Sequence, residues 1–576
     1  MLRFAKTVAG LAALGLLIYG MLLPSTAEGR WLQCLWGATM LGGFAVWPIR
    51  RQSVPGVRGG TQNLAMVMLI GFTMLTVQLL RLQVVKAEAI ASYSVSDEAG
   101  NVTSNVRPVL KGMRVQRGTI YDAQGEVLAK NVVTQGGYSH RTYPLADKYD
   151  IRAFSHVLGY VSTIYGLSGI ESSYDDYLSG AKGNSWENTK NGVFNRPPQG
   201  NDLQLTLNAQ LPQRAFDALE GRVGSVVVLD AKTGAVRALV SNPGFDPREL
   251  TRDTSPDADD NVQNQKMIAY FAQLLGDENR PLINRTTQGL YPPGSTFKTV
   301  TAVAALNDAS IGKPDDIECP EEFVPENGSQ PVVNAVKNEA EYIRNQYGPD
   351  YGLDAVYAFS CNTAFAQYGL RLEADGRGLL LKQAERFHVY PPDRAPDEAD
   401  FTDLPTQVST LYASGDWNRP ALVADTAFGQ GELQVTPLQM GMITQAIANR
   451  GVMMKPYLVQ SIRDPQQNLL SEAKPREIGE PLSPQVAGRM FQSMRAVIER
   501  GWPGAAAAGV PGFTIGGKSG TAENPQGAPH AWFIEIGPLE DPKYAVAVMV
   551  EHGGEGTSVG GRLAGQVMQA ALEINP

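Results

Sequence analysis

Three apolar runs open the chain and separate its first part from everything that follows. Residues 7–24, 31–47 and 64–80 contain no charged side chain. Each run is close to the lower limit of about 17 residues for a helix that crosses a bilayer. The pattern therefore predicts up to three transmembrane helices, at about 7–24, 31–47 and 64–82, in a membrane region over residues 1–84.

Basic residues flank these runs on one side. Arg3 and Lys6 precede the first run, and Arg50, Arg51 and Arg58 lie between the second and the third. The positive-inside rule then places all residues after 85 outside the cytoplasm, with the protein in the cytoplasmic membrane. Two alternatives stay open for the first run. Instead of a transmembrane helix, it would be a cleavable signal peptide, with small residues at 25 and 27, or part of a buried hairpin in a soluble protein.

Residues 85–200 are polar and have short alternating stretches between turn residues. "RGTIYDAQGEVLA" (117–129) predicts two short strands with turns between them, and "GIESSYDDYLSG" (169–180) predicts a short helix closed by Gly180. This part of the chain is typical of an extended, β-rich pedestal between the membrane and a larger domain.

From residue 201 to residue 576 the pattern becomes that of a globular core. "GSVVVLDAKTGAVRALVS" (224–241) predicts a strand hairpin, and "GFTIGGKSGTAE", "HAWFIEIG" and "YAVAVMVEHG" predict three further strands before a last helix. The stretches between the two strand groups have helical periodicity at 295–307, 360–374, 377–388 and 436–450. Strands at both ends with helices between them indicate an α+β domain whose antiparallel sheet joins distant halves of the chain.

Charge and cysteine content exclude several function classes. The first 86 residues hold eight Lys or Arg and one acid, which gives them a net charge of +7. The whole chain has a net charge of −9, so the remaining residues carry −16. A domain this acidic repels nucleic acid. The three cysteines favour free thiols, although a Cys319–Cys361 bridge is possible in an oxidising compartment. No Cys or His cluster has metal-ligand spacing, so we expect no metal.

Four Ser-x-x-Lys pairs place a hydroxyl and an amine on one helix face, and their context distinguishes them. Only Ser295 with Lys298, in "LYPPGSTFKTV", follows a Pro-Pro-Gly stop and begins an apolar helix. Burial and the helix dipole lower the pKa of a lysine in that position, which makes it a usable base. The other pairs lie in polar turns, at Ser179 with Lys182, Ser310 with Lys313, and Ser471 with Lys474.

Two further motifs follow the Ser295 pair along the chain. "SCN" (360–362) precedes a helical run, and "KSGT" (518–521) follows Gly516 and Gly517 on an expected edge strand. Taken alone, "SCN" is typical of an ordinary helix cap. The pattern of "KSGT" also has a second match, Lys232-Thr233-Gly234, which predicts a plain hairpin turn. A rival nucleophile elbow, "GTSVG" (556–560), is followed by neither Asp nor His, so we interpret it as a turn into the last helix.

With these motifs the sequence resembles the penicillin-binding serine acyltransferases, and more closely a class B penicillin-binding protein. The resemblance rests on the stretches above together with "LINRTTQGLYPPGSTFK", "SCNTAFA", "FGQGELQVTPLQMGMITQAIANRG" and "HAWFIEI", which span residues 117–537. It implies a transpeptidase domain with a five-stranded antiparallel sheet flanked by helices. That domain would occupy residues 201–576, on a pedestal or dimerisation-like domain at 85–200 behind the N-terminal transmembrane helices.

The resemblance also implies roles for particular residues. Ser295 would attack the penultimate D-Ala carbonyl of a peptidoglycan stem peptide, Lys298 would be its base, and Ser360 would relay a proton to the leaving D-Ala nitrogen. β-Lactams would acylate the same serine. An amine of a neighbouring strand would then accept the acyl group, with no cofactor.

Substrate binding would fall to the second and third motifs. Asn362 would hold the peptide amide, Lys518 would supply positive potential, and Ser519 and Thr521 would bind beside it, the Thr521 hydroxyl on the terminal carboxylate. The backbone N–H groups of Thr521 and Ser295 would form the oxyanion hole.

The chain departs from the family pattern at three points. The family usually has a single N-terminal anchor, whereas this chain has up to three apolar runs. Asn208 lies where the family commonly has Asp, and Ser519 lies where it frequently has Thr. Two alternatives of the same fold stay open, namely a carboxypeptidase or β-lactam hydrolase that uses water, and a non-catalytic penicillin-binding sensor or scaffold. The resemblance implies a polytopic glycosyltransferase partner of the shape, elongation, division and sporulation family. It does not distinguish an elongation, division or sporulation role.

Overall fold

The computed structural model separates into two compact units, over residues 1–113 and 114–576. It describes residues 2–23, 27–46, 57–84, 86, 95–96, 102–103, 112–134, 137–183, 188, 190, 196–255, 258–327, 329–397, 400–413, 417–525 and 527–574.

The first unit contains three helices, α1 (Leu2–Leu22), α2 (Glu28–Val46) and α3 (Val57–Val84), and a short strand pair, β1 (Val95–Ser96) and β2 (Val102–Thr103). Within the described residues, α1 and the segment Leu64–Leu82 of α3 are long and apolar enough to cross a membrane. The second predicted run does form a helix, but α2 is not among these candidates. Its polar residues, such as Gln33, reduce its apolarity.

Polar groups connect the three helices. The Trp31 indole N–H donates to Gln78 Oε1 at 2.7 Å, and the Arg81 guanidinium donates to the Gly20 carbonyl at 2.7 Å. A side chain at Gly20 would have its Cβ 2.7 Å from the Trp31 ring, so only glycine allows this close packing of α1 on α2.

The pedestal in the second unit consists of short elements around a buried ionic cluster. Its elements are β3 (Ile120–Tyr121), β4 (Val127–Val133), β5 (Ser139–Thr142), α4 (Ser155–Leu158), β6 (Val161–Ser162), β7 (Gly166–Leu167), α5 (Gly169–Ser173) and α6 (Asp175–Leu178). The single helix predicted at 169–180 is therefore two short helices. Arg117 and Arg141 both donate to the fully buried Glu171, which ties these helices to the strands.

One sheet joins the pedestal to the larger domain. Strands β8 (Asp202–Leu205), β14 (Val459–Arg463) and β15 (Leu469–Glu472) extend the pedestal strands in the order β15-β14-β8-β3-β4-β5. The predicted division at residue 200 crosses this sheet and stays a prediction. The pedestal and the larger domain therefore share hydrogen-bonded strands within the second unit.

The larger domain is organised around an antiparallel sheet in the order β10-β9-β19-β18-β17, which confirms the predicted five-stranded sheet. Its strands are β9 (Gly224–Asp230), β10 (Val236–Asn242), β17 (Gly516–Ala522), β18 (His530–Gly537) and β19 (Tyr544–Val550). Both faces are covered, so every residue of β18 is buried. Two smaller strand pairs lie outside this sheet, β11 (Glu322–Phe323) with β12 (Val332–Val333) and β13 (Met453–Met454) with β16 (Glu477–Gly479).

Helices cover the two faces of the sheet. On one face α7 (Gln210–Ala218) and α17 (Gly561–Ile574) pack against residues such as Phe533. The other helices are α8 (Asp260–Gly276), α9 (Lys298–Asn307), α10 (Glu339–Tyr347), α11 (Leu353–Phe359), α12 (Asn362–Glu373), α13 (Leu379–Arg386), α14 (Pro420–Ala427), α15 (Pro437–Ala448) and α16 (Pro484–Arg500). The four helical stretches predicted between the strand groups are thus confirmed, with ends shifted by a few residues.

Candidate active site

Ser295 lies in a tight turn that packs directly against strand β17. Gly294 has a φ of 55°, and a Cβ there would be 2.8 Å from the Thr521 carbonyl oxygen. A Cβ at Gly520, on the facing strand, would be 2.7 Å from the Pro293 carbonyl oxygen. Two glycines therefore allow the backbones of the turn and the strand to touch, which fixes the serine beside the "KSGT" motif.

Lys298 begins α9, one turn after the serine, and is fully buried. Its Nζ donates to Ser295 Oγ at 2.9 Å, to Ser360 Oγ at 3.1 Å and to Asn362 Oδ1 at 2.7 Å. These contacts connect the first predicted motif to the second. The amine is therefore held on the nucleophile by acceptors from two separate segments of the chain.

Ser360 ends α11 in the left-handed region, with a φ of 70°. This conformation is uncommon for a non-glycine residue, and here it ends the helix. It turns the hydroxyl toward both lysines, because Lys518 Nζ also donates to Ser360 Oγ, at 2.9 Å. Asn362 then begins α12, and its amide donates to the Val333 carbonyl at 3.0 Å.

The residues of the "KSGT" motif lie along β17, the edge strand of the sheet. Lys518 is fully buried and Ser519 is nearly so, whereas Thr521 is exposed at the cleft. The Thr521 hydroxyl accepts a hydrogen bond from the Gly556 N–H at 3.1 Å. The "GTSVG" segment is thus a turn into α17 that supports the edge strand, as the sequence predicted.

The hydroxyls and amides of these motifs open into one cleft of about 510 Å³. Its walls include Ser295, Ser360, Asn362, Ser519 and Thr521. Both lysines lie beneath this surface. A substrate in the cleft would touch the hydroxyls, while the amines act from behind them.

Burial lowers the pKa of both amines because it removes water from the charged form. For Lys298 the pKa falls well below its ordinary value, first through burial and then through the nearby Lys518 charge, and the Glu339 carboxylate opposes the change. For Lys518 burial lowers the pKa to about 7, again against Glu339. The predicted direction for Lys298 is confirmed, and Lys518 adds a cause that the sequence did not reveal.

The structure distinguishes the four Ser-x-x-Lys pairs. Of these four pairs, whose members all lie in the described part of the chain, only Ser295 and Lys298 have their hydroxyl and amine hydrogen-bonded to each other. The Ser310 hydroxyl instead accepts from Arg377 at 3.1 Å. Spacing alone therefore does not make a catalytic pair.

The expectation of free thiols at Cys319 and Cys361 is wrong, because the two sulfur atoms are bonded to each other. Their Cα atoms are 6.1 Å apart across a sequence separation of 42 residues. Residues 332–334 lie against the "SCN" turn, where the Asn362 amide donates to the Val333 carbonyl and Cys361 also caps α12. Local sequence does not encode such a contact between distant segments, and Cys34 stays a free, buried thiol.

Sequence reasoning also missed Glu339. It begins α10 and is 1% exposed, and its carboxylate oxygen and the two disulfide sulfurs lie within 4.8 Å of one another. A single glutamate before a polar helical stretch carries no signal of such burial. The bonded sulfurs are not thiolates, which are the form of cysteine that binds metals.

Comparison with known proteins agrees with this geometry. Residues 224–573 match the family model of the penicillin-binding protein transpeptidase domain, and residues 117–203 match that of the penicillin-binding protein A dimerisation domain. The chain is 33% identical over 481 residues to the peptidoglycan D,D-transpeptidase PbpA of Mycolicibacterium smegmatis, over 81% of this chain and 90% of the relative. The peptidoglycan D,D-transpeptidase MrdA of Escherichia coli is 27% identical, over 74% and 70%.

Among solved structures, the ceftriaxone acyl-enzyme complex of penicillin-binding protein A from M. tuberculosis matches with a TM-score of 0.68 and 29% identity. The match covers 80% of this chain and all of that one. A structure of PBP2 from Pseudomonas aeruginosa matches with a TM-score of 0.61 and 26% identity, over 79% and 95%. From its motifs, its fold and these matches, the chain belongs to the penicillin-binding proteins and is a membrane-anchored member of the class B type.

Proposed function

We propose that this protein is a peptidoglycan D,D-transpeptidase that crosslinks stem peptides through an acyl-enzyme on Ser295. The observation that carries the proposal is the contact of 2.9 Å between the buried Lys298 amine and the Ser295 hydroxyl. Burial lowers the pKa of this amine well below its ordinary value, which favours the neutral form that accepts the hydroxyl proton as the oxygen attacks.

Acylation transfers one proton through this network. As Ser295 Oγ bonds to the penultimate D-Ala carbonyl carbon, Lys298 Nζ takes the hydroxyl proton. Ser360 Oγ gives its own proton to the leaving D-Ala nitrogen and recovers one from Lys298, which contacts it at 3.1 Å. The C–N bond breaks, D-Ala leaves and the ester on Ser295 stays.

Transfer reverses this path with a different amine. The acceptor amine attacks the ester carbonyl and passes a proton through Ser360 and Lys298 back to Ser295 Oγ, which leaves as the hydroxyl. Both steps pass through an oxyanion. The backbone N–H groups of Ser295 and Thr521 would bind it, each contributing about 2.7–4 kcal/mol at the barrier.

The remaining residues would bind the donor peptide. Asn362 would hold a peptide amide, and the protonated Lys518 would attract the terminal carboxylate. Thr521 and Ser519 would offer hydroxyls on the same strand. The relatives named as transpeptidases support an amine as the acceptor, whereas water would make the enzyme a carboxypeptidase or a β-lactam hydrolase.

Labelling with a fluorescent penicillin tests the nucleophile. Wild-type protein should form a stable covalent adduct, and Ser295→Ala should form none. Ser310→Ala is the matched control, because it removes the serine of another Ser-x-x-Lys pair, and it should label like the wild type. Labelling of Ser295→Ala would contradict the assignment, and labelling without turnover of any peptide would favour the sensor alternative.

Lipid-linked substrate polymerised by a glycosyltransferase separates transfer from hydrolysis. A transpeptidase yields crosslinked dimers together with free D-Ala. Free D-Ala without dimers would support the carboxypeptidase alternative.

We also propose that the catalytic unit lies outside the cytoplasm, anchored in the cytoplasmic membrane. The basic residues Arg3, Lys6, Arg50, Arg51 and Arg58 support this orientation. The predicted division into residues 1–84, 85–200 and 201–576 belongs to the same proposal. A membrane-impermeant cysteine reagent applied to cells that carry a surface cysteine at Ser255 should label it without lysis if the orientation is correct.

A polymerase partner completes the proposal. The two matched family models describe a transpeptidase domain and a dimerisation domain, and neither describes a glycosyltransferase, which supports a supply of glycan strands by another enzyme. A polytopic glycosyltransferase of the shape, elongation, division and sporulation family fits this need. Co-purification from membranes tests it, and capture of other proteins only would contradict it.

A further inference from the structure

Glu339 is a buried acid behind the catalytic cleft that the reaction above does not use. Its side chain is 1% exposed, and Oε1 has no hydrogen-bond partner among the residues that the structure describes. A carboxylate oxygen of Glu339 lies within 4.8 Å of the Cys361 sulfur. Cys361 stands between Ser360 and Asn362, which both accept hydrogen bonds from Lys298. The acid thus lies beside the turn that carries two hydrogen-bond acceptors of the catalytic amine.

The two lysines in front of it lack a counter-ion in direct contact. Lys298 and Lys518 are both fully buried, and their hydrogen-bond acceptors are neutral oxygens of Ser295, Ser360, Asn362 and Ser519. Within the residues that the structure describes, no carboxylate forms an ion pair with either ammonium group. Two buried amines that share one hydroxyl repel each other when both carry a proton.

We propose that Glu339 is a positioning residue of the transpeptidase site, and that its buried negative charge keeps Lys518 protonated while Lys298 serves as the base. This inference rests on the proposed function, since it assigns opposite protonation states to the two lysines during acylation. The carboxylate acts through space and touches neither substrate nor the reacting atoms.

The groups around Glu339 determine the direction of its effect. Burial raises the pKa of Glu339 to about 7, against the charges of Lys298 on α9 and Lys518 on β17 and a hydrogen bond from the Val336 N–H. Glu321, which precedes β11, raises this pKa further. The disulfide beside it does not titrate. Conversely, the Glu339 charge raises the pKa of each lysine.

The proposal predicts how the rate of acylation by penicillin depends on pH. The acid limb of this profile reports loss of a proton from Lys298, and the alkaline limb reports loss of a proton from Lys518. Glu339→Gln keeps the shape of the side chain but removes the charge, so the pKa of both lysines falls. We expect the alkaline limb to move to lower pH by about one unit, with acylation about tenfold slower on that side, and the acid limb, where Glu339 itself takes up a proton, to move by less.

Controls separate electrostatics from structure. Glu341→Gln changes an exposed acid in the first turn of the same helix and should leave both limbs in place. Glu339→Asp keeps the charge but draws it back by one methylene, so its limbs should lie between those of the wild type and those of Glu339→Gln. A reduced rate with unmoved limbs in Glu339→Gln would overturn the proposal.

The outcome for the wild type distinguishes this inference from the proposed function. If wild-type protein is not acylated at all, the proposed function fails. If it is acylated and the limbs of Glu339→Gln match its own, only the role of Glu339 fails. If circular dichroism shows that Glu339→Gln does not fold, Glu339→Asp becomes the test. A pH profile of Glu339→Asp with limbs identical to those of the wild type would then refute the proposed role of Glu339.

Discussion

Two fully buried ionisable groups on opposite sides of the same sheet show what makes a buried charge useful. Lys298 lies beneath the cleft, and its amine contacts three side-chain oxygens at 2.7–3.1 Å. Glu535 lies on β18, on the face that also presents Ala531 and Phe533 to the cluster around α17. Neither of its carboxylate oxygens has a hydrogen-bond partner within the described ranges of the chain.

Burial moves both groups toward their neutral forms, but only one of them can exchange its proton. The pKa of Lys298 falls and that of Glu535 rises well above its ordinary value, in each case because burial disfavours the charge. Lys298 is hydrogen-bonded to a hydroxyl that must lose its proton. Glu535 faces apolar side chains, so its proton has no acceptor. Contacts to reacting groups, in addition to burial, distinguish a base from a destabilising acid.

Of the changes that test this comparison, removal of the base Lys298 should have the largest effect. Lys298→Met keeps the volume of the side chain but leaves Ser295 without a proton acceptor, and we expect penicillin acylation to slow by about 10³-fold. Stopped-flow measurement of acylation checks this. Lys313→Met, in the Ser310 pair, is the control and should acylate at the wild-type rate. A loss below tenfold for Lys298→Met would show that another group is the base.

Loss of the shared hydroxyl should have a smaller effect. Ser360→Ala removes the acceptor that links Lys298 to Lys518, but the base and the nucleophile stay in contact. We expect acylation by a peptide substrate to fall by about 10²-fold, because the leaving nitrogen then receives its proton less readily. Single-turnover release of D-Ala measures this step. Ser493→Ala, a buried serine of α16 outside the cleft, controls for general loss of a hydroxyl.

Replacement of the unpartnered acid should have the smallest effect, and it should be favourable. Glu535→Leu removes a buried carboxyl without hydrogen bonds, and we expect the free energy of unfolding at pH 8 to rise by about 2 kcal/mol. Chemical denaturation of the wild type and the variant gives this difference. Glu573→Gln, an exposed acid of α17, should change it by less than about 0.5 kcal/mol.

The pH dependence of the free energy of unfolding gives an independent test of the role of Glu535. Because the folded pKa of Glu535 lies above its unfolded value, the folded state binds the extra proton between the two values. The wild type should therefore lose stability as pH rises from the ordinary pKa of a glutamate toward the folded one. Glu535→Leu should show a smaller loss over that window. An equal loss in both proteins would show that Glu535 does not cause it.

Much of the architecture could be predicted from local pattern. Alternation and turn residues located the five strands of the sheet, and helical periodicity located the helices that carry Lys298 and Asn362. These features depend on neighbours within a few residues, so the sequence reveals them directly. The second apolar run and the helix at 169–180 were less well predicted, because polar residues and a break at Tyr174 change the local outcome.

By itself, the sequence determined the chemical groups of the site, the order of its three motifs and the helical spacing of Ser295 and Lys298. Only the tertiary structure decided which Ser-x-x-Lys pair meets a second hydroxyl, that Cys319 bonds to Cys361, and that Glu339 lies buried behind two amines. Each of these depends on contacts between segments that are distant along the chain. The pKa of a buried group likewise depends on which distant segments exclude water from it and which charges they bring near.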